Sequence, residues 1–196
     1  MKSNIVSQFR INDTNRVLQG DLLKNVDMQI YNINLKKLEI IEFPYIVVLS
    51  QDCDLEQDFN KHEKLKESEN ISKDQLKPIH DKFLPSILVS ECFPAEQVRL
   101  GEHLENNGFF MNNYGKKSST SWKKIMQNEI PRYHFLKDSE EFSHGDLVID
   151  FKRYYTIPRD NFYNIHKEKY YCSLNELHRE NLSIRFSQYI SRIGLP

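Results

Sequence analysis

Carboxylate and hydroxyl side chains follow one apolar stretch of this sequence. The residues YIVVL, at positions 45–49, lead directly into Ser50, Asp52 and Asp54. Cleavage of RNA without a metal needs a base for the 2′-hydroxyl proton, an acid for the leaving oxygen and a cation for the phosphate. Asp52 and Asp54 have the chemistry of the base, so the end of this stretch is the first candidate for a catalytic site.

The other two roles match the short segment RYH at positions 132–134. Arg132 offers a cation to a phosphate, and His134 offers an acid to the leaving oxygen. Because residues two apart in a strand share a face, both side chains are expected to point the same way. A structural interpretation competes with this one: the two aspartates close a turn or cap a helix, while Arg132 and His134 lie on a solvated face.

A thiol lies between the two aspartates and raises two further alternatives. Cys53 is a nucleophile only if its thiolate is favoured, and neighbouring carboxylates raise a thiol pKa, so a small buried residue is favoured instead. A zinc site would combine Cys53 and Cys92 with histidines at positions 62, 80 and 134. These spacings match no short zinc-knuckle pattern, and we expect core cysteines without a bound metal or other cofactor.

Residues 115–135 carry five lysines and arginines against one glutamate, with aromatic residues among them. Cations interleaved with stackable rings are typical of single-stranded nucleic-acid binding. The side chains expected to make this contact are Lys116, Lys117, Trp122, Lys123, Lys124 and Tyr133. The alternative is a helix that buries Trp122 and Ile125 while its lysines stay in solvent.

Charge, hydropathy and cysteine usage narrow the class of protein. The formal net charge of the 196 residues is -1, so any nucleic-acid contact has to come from a local patch. No stretch has the length and hydropathy of a membrane span or signal peptide, and three isolated cysteines fit a reducing compartment. Walker, dinucleotide-binding and HExxH motifs are missing, which leaves nucleotide-dependent chemistry unsupported. We expect one cytoplasmic domain over residues 1–196.

The hydropathy pattern predicts an α+β fold. Alternation predicts strands within 20–41, and β-rich runs predict further strands at 45–49, 86–93, 132–136 and 146–158. A charged insertion, part helix and part loop, is expected at 52–82, with Asp54 capping its first helix. Helical spacing after a capping box of Ser173 and Glu176 predicts an amphipathic helix over 173–193 that packs on the sheet. Together these elements favour a curved antiparallel barrel or sheet with helical insertions.

Two sequence motifs resemble the SH3-like barrel of MazF/PemK-type toxins. One is Gly20 and Asp21 before an apolar strand, and the other is a second strand of the form Pro-x-apolar-apolar-apolar-Ser-x-Asp. The matching residues of the second are Pro44, Val47, Val48, Leu49, Ser50 and Asp52. The resemblance implies RNA cleavage without a metal, by an arginine near the first strand and a hydroxyl after the next, which would be Arg16 and Ser50.

The chain is also similar to a group of poorly characterised prokaryotic proteins. The shared motifs are SQxCD at 50–54, the segment at 132–134 and RxGLP at 192–196. This resemblance implies no established activity. We therefore expect a barrel that binds RNA or another nucleic acid, with endoribonuclease activity and a role in phage defence as extensions. The alternative is a non-catalytic adaptor that contacts protein partners in a defence or toxin–antitoxin-like system.

Overall fold

The computed structural model describes residues 8–33, 36–66, 72–115, 119–139, 141–142 and 144–192. The motif positions 116, 117 and 193–196 lie outside these residues. The described residues form seven strands: β1 Phe9–Arg10, β2 Asp21–Asn32, β3 Lys37–Val48, β4 Ser86–Pro94, β5 Tyr133–Leu136, β6 Leu147–Pro158 and β7 Tyr170–Leu174. They also form six α-helices: α1 Asp52–Lys66, α2 Lys73–His80, α3 Ala95–Leu100, α4 Thr120–Met126, α5 Arg159–Lys169 and α6 Glu176–Ile190.

All seven strands belong to one antiparallel sheet in the order β1-β7-β2-β3-β4-β6-β5. The sheet curls into a half-barrel, which confirms the predicted α+β fold with a curved antiparallel sheet. The register shifts within β2, between Leu22 and Leu23, and within β4, between Ser90 and Cys92. Such bulges bend a strand and increase its twist, so they contribute to the curl.

The hairpin of β2 and β3 bends where Asn25 lies opposite Pro44. Asn25 has a φ of 53°, in the left-handed region, and Pro44 has no N–H to donate to a neighbouring strand. Phe43 and Ile46, three residues apart, pack in the same core cluster, although strict alternation would put them on opposite faces. Beyond this bend β3 no longer pairs with β4, whose pairing with β3 begins at Tyr45.

Helices cover both faces of the sheet. Leu182 of α6 packs on one face, in a cluster with Val47 and Phe151. Leu55 of α1 and Phe162 of α5 pack on the other face, beside Val48. The helices α3 and α4 close a third cluster around Phe93 and Val148. Among the described residues, no helix is long and apolar enough to cross a membrane.

Two predicted helix starts are wrong. The last helix begins at Glu176, because Asn175 caps it by accepting a hydrogen bond from the N–H of His178, while Ser173 lies in β7. In the charged insertion, α1 already begins at Asp52, so Asp54 lies inside the helix and does not cap it. In both cases the chosen residue fits a capping motif, but the helix begins at a different residue, and in the last helix the side chain of Asn175 provides the cap.

Candidate functional site

The residues 12–20 form a loop that carries Arg16 to the start of α1. The Arg16 Nη1 and Nη2 atoms donate to Asp52 Oδ1 and Oδ2 at 3.1 and 3.0 Å. The backbone N–H of Gln19 donates to Asp52 Oδ1 at 3.3 Å. The loop before the first strand of the sequence motif and the residue after its second strand are therefore joined by a two-point ion pair.

A second guanidinium, that of Arg179 in α6, completes what we call the Arg16 cluster: Arg16, Asp52 and Arg179. Its Nη1 atom lies 3.4 Å from Asp52 Oδ1. Its Nε and Nη1 atoms are buried without a hydrogen-bond acceptor. Gly20 makes room for this side chain, since a Cβ atom at position 20 would lie 2.9 Å from Arg179 Cγ, and Gly20 has a φ of 81°.

The cluster keeps Asp52 ionised. Burial alone would raise the pKa of Asp52, but hydrogen bonds from Arg16 and the charges of Arg16 and Arg179 hold it below its ordinary value. A carboxylate with a lowered pKa is a weak proton acceptor at neutral pH. The geometry thus makes Asp52 a positioning group for two arginines and a poor general base.

Asp21, the second residue of the Gly-Asp motif, centres a buried network beside this cluster. Its Oδ2 atom accepts from the N–H of Leu18 at 2.9 Å and lies 2.8 Å from Nε2 of His166. Its Oδ1 atom accepts from the hydroxyl of Ser173 at 2.5 Å, and that hydroxyl lies 3.0 Å from the hydroxyl of Tyr170. Because Asp21 is fully buried and orients the His166 ring, this network offers an acid–base group near the two arginines.

Ser50 has a structural partner. Its Oγ atom accepts from the backbone N–H of Leu88 at 2.8 Å, and its own N–H donates to the carbonyl of Leu88 at 3.2 Å. These two bonds fasten the exit of β3 to β4. The hydroxyl is therefore occupied by the backbone of the neighbouring strand.

We predict that Ser50→Ala lowers the free energy of unfolding by about 1 kcal/mol, the usual contribution of one such hydrogen bond. Urea unfolding measures the loss, and Ser121→Ala, at an exposed position of α4, is the matched control. A variant that unfolds like the wild type contradicts the structural role.

Arg132 and His134 lie away from Asp52. They flank the start of β5, which is three strands from β3 in the sheet and hence about 14 Å away at the usual strand spacing. Arg132 Nε and Nη2 donate to Asp150 at 2.8 and 2.5 Å, and His134 is only 2% exposed. The structure does not bring the five predicted catalytic groups, Ser50, Asp52, Asp54, Arg132 and His134, into one site.

The remaining sequence candidates are dispersed. Asp54 and Cys53 are both exposed on α1, whereas Cys92 is buried in the sheet. Within the described ranges there is no group of three or more histidine, cysteine, aspartate or glutamate side chains that could hold a metal ion. A zinc site built from Cys53, Cys92 and a histidine therefore has no support among these residues.

The basic segment is only partly available for stacking. Lys123 and Lys124 are exposed on α4, while Lys116 and Lys117 lie outside the described residues. Trp122 is half-buried and its ring meets that of Phe135 edge to face. Tyr133 is buried, and burial raises the pKa of its hydroxyl. The two described lysines are thus accessible, whereas the tyrosine ring is part of the core.

Sequence reasoning missed three residues that the structure places around Arg16. They are Asp21 as a buried acceptor, His166 as its partner and Arg179 as the second cation. Of these three residues, only Asp21 belongs to a motif that is visible in the sequence, the Gly-Asp motif. His166 and Arg179 lie more than 140 residues along the chain from it, and no local spacing links them.

Comparisons with known proteins do not place the chain in a family. No protein-family model matches the sequence, and no curated protein is significantly similar to it.

Proposed function

We propose that this chain is a cytoplasmic protein that binds single-stranded RNA, with the Arg16 cluster as its phosphate-binding site. The proposal follows the resemblance to the MazF/PemK-type barrel, in which an arginine near the first strand acts on RNA. Arg16 occupies that place in this sequence, and its contact with Asp52 joins both halves of the motif. The three free cysteines support a reducing compartment.

The positive charge of Arg179, which shares the single carboxylate of Asp52 with Arg16, carries the proposal. Asp52 accepts both hydrogen bonds from Arg16, which leaves Arg179 with the exposed carboxylate of Glu176, 4.0 Å away and 78% exposed, as its other acidic neighbour. An exposed pair at this distance stabilises little. Arg179, whose side chain is 13% exposed, therefore adds a second positive charge beside the partly exposed Asp52, and guanidinium groups suit phosphate geometry.

His166 is the candidate residue for proton transfer within the same site. Its ring is oriented by Asp21, and its side chain is 16% exposed, whereas His134 is buried. A histidine held by a carboxylate is the usual acid–base group of metal-free reactions at neutral pH. RNA cleavage in the presence of EDTA, compared between the wild type and His166→Gln, separates a nuclease from a protein that only binds.

RNA binding is tested by fluorescence anisotropy with a labelled oligouridine at several salt concentrations. We expect Arg179→Gln to weaken binding about tenfold and to lower the slope of log affinity against log salt by about 0.7, the value of one lost contact to single-stranded phosphate. Arg16→Lys, which keeps the charge but loses the two-point geometry, should weaken binding by a smaller factor.

The matched controls remove the same charge elsewhere. Lys152→Gln changes an exposed lysine on β6, and the pair Lys123→Gln with Lys124→Gln tests the basic segment on α4. If these controls weaken binding as much as Arg179→Gln does, the Arg16 cluster is not the binding site. Absence of binding by the wild type at low salt contradicts the proposed function as a whole.

A further inference from the structure

A groove lies along the part of β3, residues 37–44, that does not pair with β4. Its volume is about 1200 Å³, which exceeds the 300–1,000 Å³ typical of small-molecule sites. One wall is the edge of β3 over residues 37–44, and the other is formed by Gln97, Glu102, His103, Asn106 and Asn107. At the usual rise per residue, this edge is about 25 Å long. The shape fits an extended chain better than a compact ligand.

Among the described residues, no strand pairs with the edge of β3 that faces this groove. In the part of the chain that the structure describes, residues 37–44 pair with β2 on one side and with no strand on the other. Every second residue of a strand directs its N–H and C=O toward each edge, so this segment presents a row of donors and acceptors to the groove. β4 ends at Pro94, two residues beyond its last pairing with β3, so residues 37–42 extend past the end of β4.

The groove is acidic. Its carboxylates are those of Asp27, Glu39, Glu42, Glu91 and Glu102, against the lysines Lys37 and Lys169. Arg153 neutralises Glu91 at 2.8 Å, and Lys37 lies 3.4 Å from Glu39. His103 adds no charge at neutral pH, since burial lowers its pKa. The exposed carboxylates of Asp27, Glu42 and Glu102 give the groove a net negative charge.

We propose that this groove binds an extended, lysine- or arginine-bearing segment of a partner protein, which adds a strand to the free edge of β3. Backbone hydrogen bonds to residues 37–44 supply affinity, and the three exposed carboxylates select basic side chains. Leu38 and Ile40, 63% and 65% exposed, add apolar contact to the aliphatic parts of those side chains. The proposal is independent of RNA binding, because the groove and the Arg16 cluster share no residue.

Charge distinguishes this partner from the other occupants of a strand edge. A second copy of the chain would bring its own Glu39 and Glu42 close to those of the first copy, and like charges that lie close across strands destabilise pairing. RNA is repelled by the same carboxylates. A basic peptide is the occupant that matches both the backbone and the charge.

The test uses fluorescence anisotropy of the whole protein with labelled eight-residue peptides. The probe alternates lysine with valine or threonine, and its counterpart has glutamate for each lysine. Two further versions of the lysine peptide carry backbone N-methyl groups, one at its odd-numbered residues and the other at its even-numbered residues. Only one of these two sets donates N–H groups to β3 when the peptide adds as a strand. We expect the lysine peptide to bind, the glutamate peptide not to bind, and one methylated set to lose about tenfold more affinity than the other.

Variants of the protein locate the site. Glu42→Lys with Glu102→Lys should weaken binding of the lysine peptide about tenfold, whereas Glu129→Lys with Glu180→Lys, which makes the same charge change at exposed positions outside the groove, should not. Shifts of the amide resonances of residues 37–43 on binding are expected in the wild type. Equal effects of the two methylated sets, equal effects of the two double variants, or displacement of the peptide by oligouridine would each overturn the proposal.

Discussion

Asp21→Ala is expected to lower the free energy of unfolding by about 3 kcal/mol or more, the cost typical of breaking a buried charged network. The carboxylate of Asp21 is fully buried and holds the N–H of Leu18, the hydroxyl of Ser173 and the ring of His166. Removing it leaves these groups without their acceptor in a site that alanine cannot fill. The network also connects the loop before β2 to β7 and α5, so the substitution should destabilise all three of these segments.

Urea unfolding followed by circular dichroism measures this effect. Asp27→Ala is the matched control, because Asp27 lies on the same strand but is exposed, and its loss should change stability by less than about 0.5 kcal/mol. Asp21→Asn keeps the shape and one acceptor oxygen, so its loss in free energy of unfolding should lie between those of Asp21→Ala and Asp27→Ala. A change below about 1 kcal/mol for Asp21→Ala would mean that the network is not stabilising.

Five of the seven strands were predictable because their signals are local, whereas β1 and β7 were not predicted. Alternation in the first hairpin, the apolar run at 45–49 and the run at 86–93 each follow from residue types within one strand. The strand order was not predicted, because β7 lies between β1 and β2 and β6 pairs with β4, and these neighbours are not consecutive in the sequence. The bend at Pro44 was not predicted, although Pro44 carries its physical cause.

The candidate site was predictable only in part. Ser50 and Asp52 were chosen for their place at a strand exit, and the structure gives the first a backbone partner and the second an arginine partner. Arg16 and Asp52 are 36 residues apart, and Arg179 comes from the last helix. Pairing over such separations depends on tertiary packing, which the spacing of residues in a single sequence does not encode.

Net charge was a poor guide to a basic surface, because carboxylates in this fold pair with arginines from distant segments. Three buried carboxylates and the partly exposed Asp52 form such pairs: Asp52 with Arg16, Asp58 with Arg159, Glu91 with Arg153, and Asp150 with Arg132. These pairs connect elements of the fold, and each carboxylate offsets the charge of its arginine. Arg132, a catalytic candidate by sequence, belongs to this structural set, whereas Arg179 is a second guanidinium beside Asp52.

Acid should destabilise the protein through His134. Burial, together with the charges of Arg185 and His178, lowers the pKa of His134 to about 3, from an ordinary value of 6.5. Between these two values the unfolded chain binds a proton at this position and the folded protein does not. Stability is therefore fully present above pH 6.5 and is lost as the pH falls toward 3.

Two substitutions isolate this contribution. His134→Leu and His134→Gln remove the titrating group, so between pH 7 and about 4.5 the wild type should lose about 2–3 kcal/mol more stability than either variant. The pKa values of His62 and His103 are also lowered, chiefly by burial, but these two groups contribute equally in all three proteins. Urea unfolding at the two pH values measures the difference. If stability depends on pH in the same way in the wild type and both variants, His134 is protonated in the folded protein over this pH range. His134 would then again be a candidate for the general acid.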